Sequence, residues 1–349
     1  MRTRLHIVPL FILAVFVSAS VSADPPAPNR DQATPKTLAA AQTADSITTL
    51  SAEAISALKD LPKDPRPEKL AAGMHFLVSN EMHIHHYEKA SKNRKGAYLG
   101  VGTDQNFLLA GWSNPYLMVL LDFDQWVVDL QHVYAVAFHS CETSEEFRAF
   151  WSEANRRSSK DLVRKAHAGS KRLWRLVGAY NRSREKVAER LEVVTKQFAD
   201  LGIPIYLSDP AMYSHLRSLY LKDQVFIMRG DLTGSRTLAA LNRITTAHRV
   251  VFGLIYVSNS MEYFHFDKPF RRNMLGLPTN DSTLFLHTVH WYADNKRLWT
   301  YFTQRYANFR TWLEHSKTIS VRQMLPRYKG FPDQLVHFDQ LPSANKRKR

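Results

Sequence analysis

One cysteine, Cys141, stands in 349 residues. A lone thiol closes no intrachain disulfide and supplies no cysteine zinc cluster, so a stapled scaffold and a cysteine metal site are both excluded. Within AFHSCETSEEF it reads as a helix-end residue rather than a nucleophile. Acid is the second scarcity: 32 Asp and Glu face 47 Lys and Arg, a formal charge of +15. That excess favours anionic partners, whether nucleic acid, acidic glycan, phosphate head group or anionic cofactor, without choosing among them. No H-E-x-x-H helix, Walker loop, G-x-S-x-G elbow, zinc finger or RNA-binding aromatic motif is present, so none of those mechanisms has its signature here.

The long apolar runs are few, and the first is LHIVPLFILAVFV, preceded by Arg2 and Arg4 and followed by the small residues Val21–Ala23. That order is an export signal over residues 1–23, and the run falls short of the ~20 apolar residues a spanning helix needs. The alternative is an uncleaved anchor. With the leader removed, no transmembrane span is expected, and the protein would be periplasmic or secreted. Residues 24–45, rich in Pro, Ala and Thr, read as a flexible lead-in. An N-terminal helical segment follows over 46–72, with Ser51 as cap, interrupted at Pro65 and Pro67. Residues 73–320 read as one α/β domain, and 321–349 as an extension ending in the basic tail NKRKR.

Five apolar runs predict strands: 97–101, 117–122, 224–231, 250–259 and 282–290. Helical patterns lie between them at 124–138, 144–200 and 235–247, with a further helix expected over 294–315. Alternation of this kind predicts a Rossmann-like parallel sheet covered by helices on both faces. Most of the stretch between the second and third strands is surplus to a crossover, and 143–200 reads as a helical insertion. Between Trp151 and Lys196 it holds 13 Lys and Arg against 5 Asp and Glu. It is either a solvated basic face or a lid or side surface that recruits an anionic surface or polymer.

A parallel sheet binds ligands beyond the C-terminal ends of its strands, where strand order reverses. There YLGVGTDQNF places Gly100 and Gly102 in the first turn, where backbone freedom permits close approach to a ligand. Asp122 ends the second strand, suited to a ribose, and Asp231 follows the third, suited to an adenine amino group. The dinucleotide fingerprint G-x-G-x-x-G is broken by Gln105.

This layout resembles the class I S-adenosylmethionine-dependent methyltransferases, whose first loop reads acid-x-G-x-G-x-G and whose second and third strands end in acids. The resemblance spans about 75–295 less the insertion. It implies that Gly100, Gly102, Asp104, Asp122 and Asp231 contact S-adenosylmethionine. Tyr98 stands at the acid position and Asp104 at the third glycine, where a carboxylate would favour a cation and repel a phosphate. Together LVSNE, YLGVGTDQNF, LLDFD and YVSNSMEYF also resemble an uncharacterised bacterial family with this fold.

On the rim, Ser258 and Asn259 end the fourth strand and read either as helix caps or as substrate contacts. Glu262 is a candidate base, and His290 a second one at the end of the fifth strand, near His287. Asn80 and Glu81 are expected to fold over the site. His83, His85 and His86 cluster without a metal pattern, and no metal site is expected. The chain thus reads as an exported methyltransferase-like protein binding S-adenosylmethionine or a related nucleoside, with Asn259, Glu262 and His290 facing substrate. The alternative is a non-catalytic exported binding protein with a degenerate cofactor pocket and a basic docking surface. Substrate and oligomeric state stay open.

Overall fold

The computed structural model describes residues 50–70, 73–293, 296–325, 334–338 and 340–342. The expected leader 1–23, the lead-in 24–45 and the NKRKR tail lie outside the described residues. Among those described, seven strands form one sheet: β1 (Ala97–Val101), β2 (Leu117–Asp122), β3 (Val225–Arg229), β4 (Phe252–Tyr256), β5 (Thr279–Ala293), β6 (Lys296–Arg305) and β7 (Leu335–His337). Their order is β3-β2-β1-β4-β5-β6-β7. The first five run parallel, β6 returns antiparallel to β5, and β7 lies parallel to β6.

The strand sequences explain the two-faced burial. In β1 and β2 no polar residue alternates with the apolar ones, because both sheet faces are dry. Tyr98, Met118 and Leu120 enter one core, while Ala97, Leu99, Leu117, Val119 and Leu121 enter the other. Each fully buried Leu or Val contributes ~2 kcal/mol relative to exposure.

The helices, in chain order, are α1 (Ala52–Lys59), α2 (Glu88–Ser91), α3 (Gln105–Ser113), α4 (Gln125–Ser140), α5 (Ser144–Phe150), α6 (Arg156–Ala166), α7 (Leu173–Asp200), α8 (Pro210–Leu221), α9 (Thr237–Ala247), α10 (Lys268–Leu275), α11 (Tyr306–Glu314) and α12 (Val321–Met324). α3 to α8 close the face bearing Tyr98, and α1 with α9 to α12 close the other. Local chemistry sets several starts. Ser51, Asp124, Thr143, Asp209 and Asp267 each accept a backbone N–H at a helix N-terminus, satisfying donors the helix leaves unpaired. α3 ends at Asn114, which takes the left-handed conformation at φ 53°.

The expected α/β architecture with helices on both faces is present. The described residues of the expected helix 294–315 differ from it: β6 takes Lys296–Arg305, and the helix is confined to α11, Tyr306–Glu314. Trp299, Thr300, Tyr301, Phe302 and Thr303 are aromatic or β-branched and suit a pleated surface, and β5 and β6 pair from Leu284↔Arg305 to Ala293↔Lys296. The fifth strand therefore extends well past the expected 290. Between β2 and β3 the chain is helical throughout its ordered elements, with α7 at 28 residues the longest. Among the described residues no helix is long and apolar enough to cross a membrane.

Candidate functional site

Strand order reverses between β1 and β4, so the loops leaving their C-terminal ends part in opposite directions and open a crevice. A pocket of about 420 Å³ occupies it. Gly102 and Thr103 after β1, Asp122 to Asp124 after β2, Gly230 to Thr233 after β3 and Ser258 to Ser260 after β4 form its floor and rim. Leu70, Met74, Phe76 and Val78 from the leading segment wall one side, and Phe264 another. The volume falls in the ~300–1,000 Å³ range of small-molecule sites, and the mix of apolar walls with a few polar groups suits one.

Asp122 is the chemical centre of this pocket. Its Oδ1 accepts the Asp124 N–H at 2.8 Å, and its carboxyl also receives the N–H groups of Gly102 and Phe123. Burial lifts its pKa from 3.8 to about 7; these N–H donors pull it down, while the neighbouring Asp124 charge pushes it up. The acid at the tip of β2 thereby holds the glycine loop at the tip of β1. Gly102 makes the loop possible: its φ is 101°, and a Cβ there would sit 2.5 Å from Gln105 Nε2. Asp124 binds His75 Nδ1 at 2.7 Å and caps α4 through Trp126 N at 2.9 Å.

Asp231 lines the same pocket. Its Oδ1 accepts from Thr233 N and Thr233 Oγ1, each at 2.8 Å, in a tight local turn. The buried Asp64 steadies this loop from behind, accepting Asp231 N at 3.1 Å and Arg236 N at 2.9 Å. Asn259 also lines the pocket. It takes the cap position of the short 3-10 turn Ser260–Glu262, yet its side chain makes no capping bond. Its Nδ2 instead donates to Tyr263 Oη at 3.2 Å and Glu262 Oε2 at 3.4 Å. Ser258, at φ 51°, turns the chain there, a conformation uncommon for a side-chain-bearing residue.

Several expected contacts are placed elsewhere. Gly100 does not face the pocket: a Cβ there would collide with Asn106 Oδ1 at 1.9 Å and Tyr98 Cε1 at 2.6 Å, so its smallness accommodates the Tyr98–Asn106 hydrogen bond of 2.7 Å beneath the loop. Asp104 is likewise withdrawn. Its Oδ2 pairs with Arg190 Nε at 2.9 Å and its Oδ1 accepts Ser79 N at 2.7 Å, both partners of the ion pair being nearly inaccessible. The carboxylate expected to sort cations from phosphates is thus neutralised by a cation from α7, and it ties the insertion to the β1 loop.

Glu262 and His290 meet each other rather than the pocket. Glu262 Oε2 binds His290 Nδ1 at 2.6 Å, and Oε1 accepts Arg322 Nη2 at 2.7 Å. Neither residue lines the cavity. His290 lies in the hairpin extension of β5 rather than at a strand tip, which separates it from the expected role. Glu81 does not fold over the site but is fully buried, bound by the hydroxyls of Tyr256, Ser258 and Thr288. Burial pushes its carboxyl above the ordinary range against those three donors. Asn80 does line the pocket. His287 stacks on Phe302 with ring centroids 5.0 Å apart, and burial drives its pKa down to about 3. His83, His85 and His86 gather around the 3-10 turn Ile84–Tyr87, not a strand. Among the described residues no group of three or more His, Cys, Asp or Glu could hold a metal.

Sequence reasoning missed Asp64, Asp124, Arg190 and the apolar wall from the leading segment. Asp124 had a local signal, since an Asp two residues before Trp126 at a helix start is a cap pattern. Arg190 had none.

No curated protein matches the chain. The family model described as a domain of unknown function (DUF7790) matches residues 76–341, which takes in the pocket's glycine turn, both strand-tip acids and the whole helical insertion. The chain therefore belongs to the DUF7790 family.

Proposed function

We propose that the strand-tip pocket binds S-adenosylmethionine or a related nucleoside, as in the class I methyltransferases that the chain resembles. The observation that carries this reading is the meeting of Gly102, Asp122 and Asp231 on one cavity. Asp122 would accept ribose hydroxyls when ionised, and Asp231 would accept from an adenine amino group. The apolar side chains of Phe76, Leu121 and Phe264 offer cover for the base. Three acids, Asp122, Asp124 and Asp231, line the cavity against one cation, Lys69, and such a lining favours a net cation over a dinucleotide. These residues fit the nucleoside half. The amino-acid half lacks the acid found in the family that the chain resembles, since Tyr98 and Asp104 are both committed inside the fold. When bound, the cofactor would supply an electrophilic methyl group on a sulfonium. This chain's contribution would be to orient the ligand and to present Asn259 to a second molecule at the rim.

A second reading is a non-catalytic, exported binding protein that uses the same pocket. It is favoured by the engagement of Glu262 and His290 with each other and Arg322 outside the cavity, which leaves the rim without the expected base. The expected leader supports it too, because little S-adenosylmethionine is available outside the cytoplasm. Calorimetric titration with S-adenosylmethionine and S-adenosylhomocysteine, repeated with Asp122→Ala, tests the binding claim. Saturable heats abolished by the substitution support it, and flat heats at about millimolar ligand reject it. Methyl transfer that survives His290→Ala would assign the chemistry to the rim rather than to the Glu262–His290 pair.

A further inference from the structure

A second cavity, of about 230 Å³, takes Lys63 and Arg66 from the strap 63–70, whose Pro67, Lys69 and Leu70 line the strand-tip pocket. Its lining draws cations from three separate stretches of chain: Lys63 and Arg66 from the strap, Arg172 and Arg175 from the start of α7, and Arg229 from the tip of β3. Gln125 and Val128 of α4 complete it. The acids nearby are already committed. Asp129, fully buried behind Arg172 and Arg175, is held by both guanidiniums, with Arg175 Nη2 on Oδ2 at 2.9 Å. Asp64 turns its carboxylate to the backbone of Asp231 and Arg236 and presents only its carbonyl oxygen, to Arg229 Nε at 2.9 Å.

Five cations thus converge with one carboxylate lodged among them. Among the described residues, neither the Lys63 ammonium nor the Arg66 guanidinium has a hydrogen-bond or ion-pair partner. Like charges this close raise one another's energy. Burial and the neighbouring Arg172 and Arg229 charges pull the Lys63 pKa down, and burial with Arg66 and Arg172 lowers that of Arg229. His132 behind the cluster is held neutral to about pH 3 by burial and by Arg172, His167 and Lys63. All five side chains line one hollow, Arg172, Arg175 and Arg229 partly buried and Lys63 and Arg66 exposed.

We propose that this cavity is a binding site for a phosphate group, a phosphomonoester or a diphosphate. A tetrahedral oxyanion relieves the repulsion among the cations, and planar guanidinium forks match its oxygens two at a time. The volume of about 230 Å³ suits a small anion, and the exposed Lys63 and Arg66 leave the site open to solvent. Part of the insertion's basic excess is therefore turned inward, towards a ligand and towards Asp129, rather than displayed on the surface. The site is independent of the nucleoside reading of the first pocket.

The test is calorimetric titration of the purified protein with pyrophosphate, alongside sedimentation with phosphatidic acid vesicles and with phosphatidylcholine vesicles. The informative variant is Lys63→Gln/Arg66→Gln, which removes two exposed cations that support no other residue. Arg157→Gln/Lys165→Gln, on the exposed face of α6, removes the same charge elsewhere. We expect saturable binding of about one anion, weakened ~10-fold or more by the strap variant and barely by the control, since each lost charged contact is worth roughly that factor. Pyrophosphate binding with this pattern identifies a soluble phosphate ligand. Binding confined to phosphatidic acid vesicles, with the same sensitivity, identifies a lipid head group. Absence of binding to both, or equal loss in strap and control variants, overturns the proposal.

Discussion

Replacing Asp122 by Asn isolates the energetic character of the pocket. In the folded protein this carboxyl titrates near 7 rather than at 3.8, chiefly because it is buried. The displacement corresponds to roughly 4 kcal/mol of preference for the protonated form. The sign follows from linkage: a carboxyl raised on folding adds stability that is complete below its unfolded pKa and is lost as pH rises through the folded one. From about pH 5.5 to about pH 8.5, titration between those two values removes roughly 2 kcal/mol. For a chain of this size that is roughly 3 °C in Tm. Asparagine keeps an acceptor for the Asp124, Gly102 and Phe123 N–H groups but has no proton to release. The Tm of Asp122→Asn therefore gains on the wild type by about 3 °C over that interval, whatever the fixed offset between them. Scanning fluorimetry at five or so pH values measures the difference, and taking it between two proteins cancels titrating groups remote from Asp122, Glu81 and His287 included. Parallel Tm curves would refute the claim that Asp122 is held partly protonated at the strand tip.

Two further outcomes follow from the geometry. Arg190→Ala leaves Asp104 as an uncompensated buried carboxylate and is expected to destabilise by about 3–5 kcal/mol, whereas the pair Arg190→Met/Asp104→Asn recovers much of that loss; urea unfolding of both variants checks it, and equal losses would remove the ion pair from the account. Gly102→Ala forces a side chain into a backbone at φ 101° and against Gln105, for an expected cost of about 1–3 kcal/mol; the same substitution lowers nucleoside affinity in a titration, and an unchanged affinity would detach the loop from the ligand.

What the sequence disclosed, and what it withheld, divides along a physical line. β1 to β5 were legible because each contains an apolar run bounded by turn residues, buried on both faces in β1, β2 and β4. Asp122 and Asp231 were legible as acids at strand ends, since a parallel sheet carries all its C-terminal tips on one side. β6 was hidden because its aromatic residues run without a break into the amphipathic α11, and one long periodic pattern masks two elements. The assignments that failed concern side chains whose partners are remote in sequence. Asp104 lies 86 residues from Arg190, Glu81 lies 207 from Thr288, and Glu262 lies 28 from His290, with α10 and most of β5 between them. No periodicity encodes such pairings. A carboxylate in a glycine loop reads as a ligand contact until the fold supplies an arginine behind it.

The central claim is that the carboxyls of Asp122 and Asp231 address one bound nucleoside. Co-crystallisation with S-adenosylhomocysteine tests it directly. The account predicts ribose hydroxyls within ~3 Å of Asp122 and the adenine amino group directed at Asp231, over the Gly102 turn. Density for the ligand anywhere else, or a crevice that holds no ligand at saturating concentration, would contradict it.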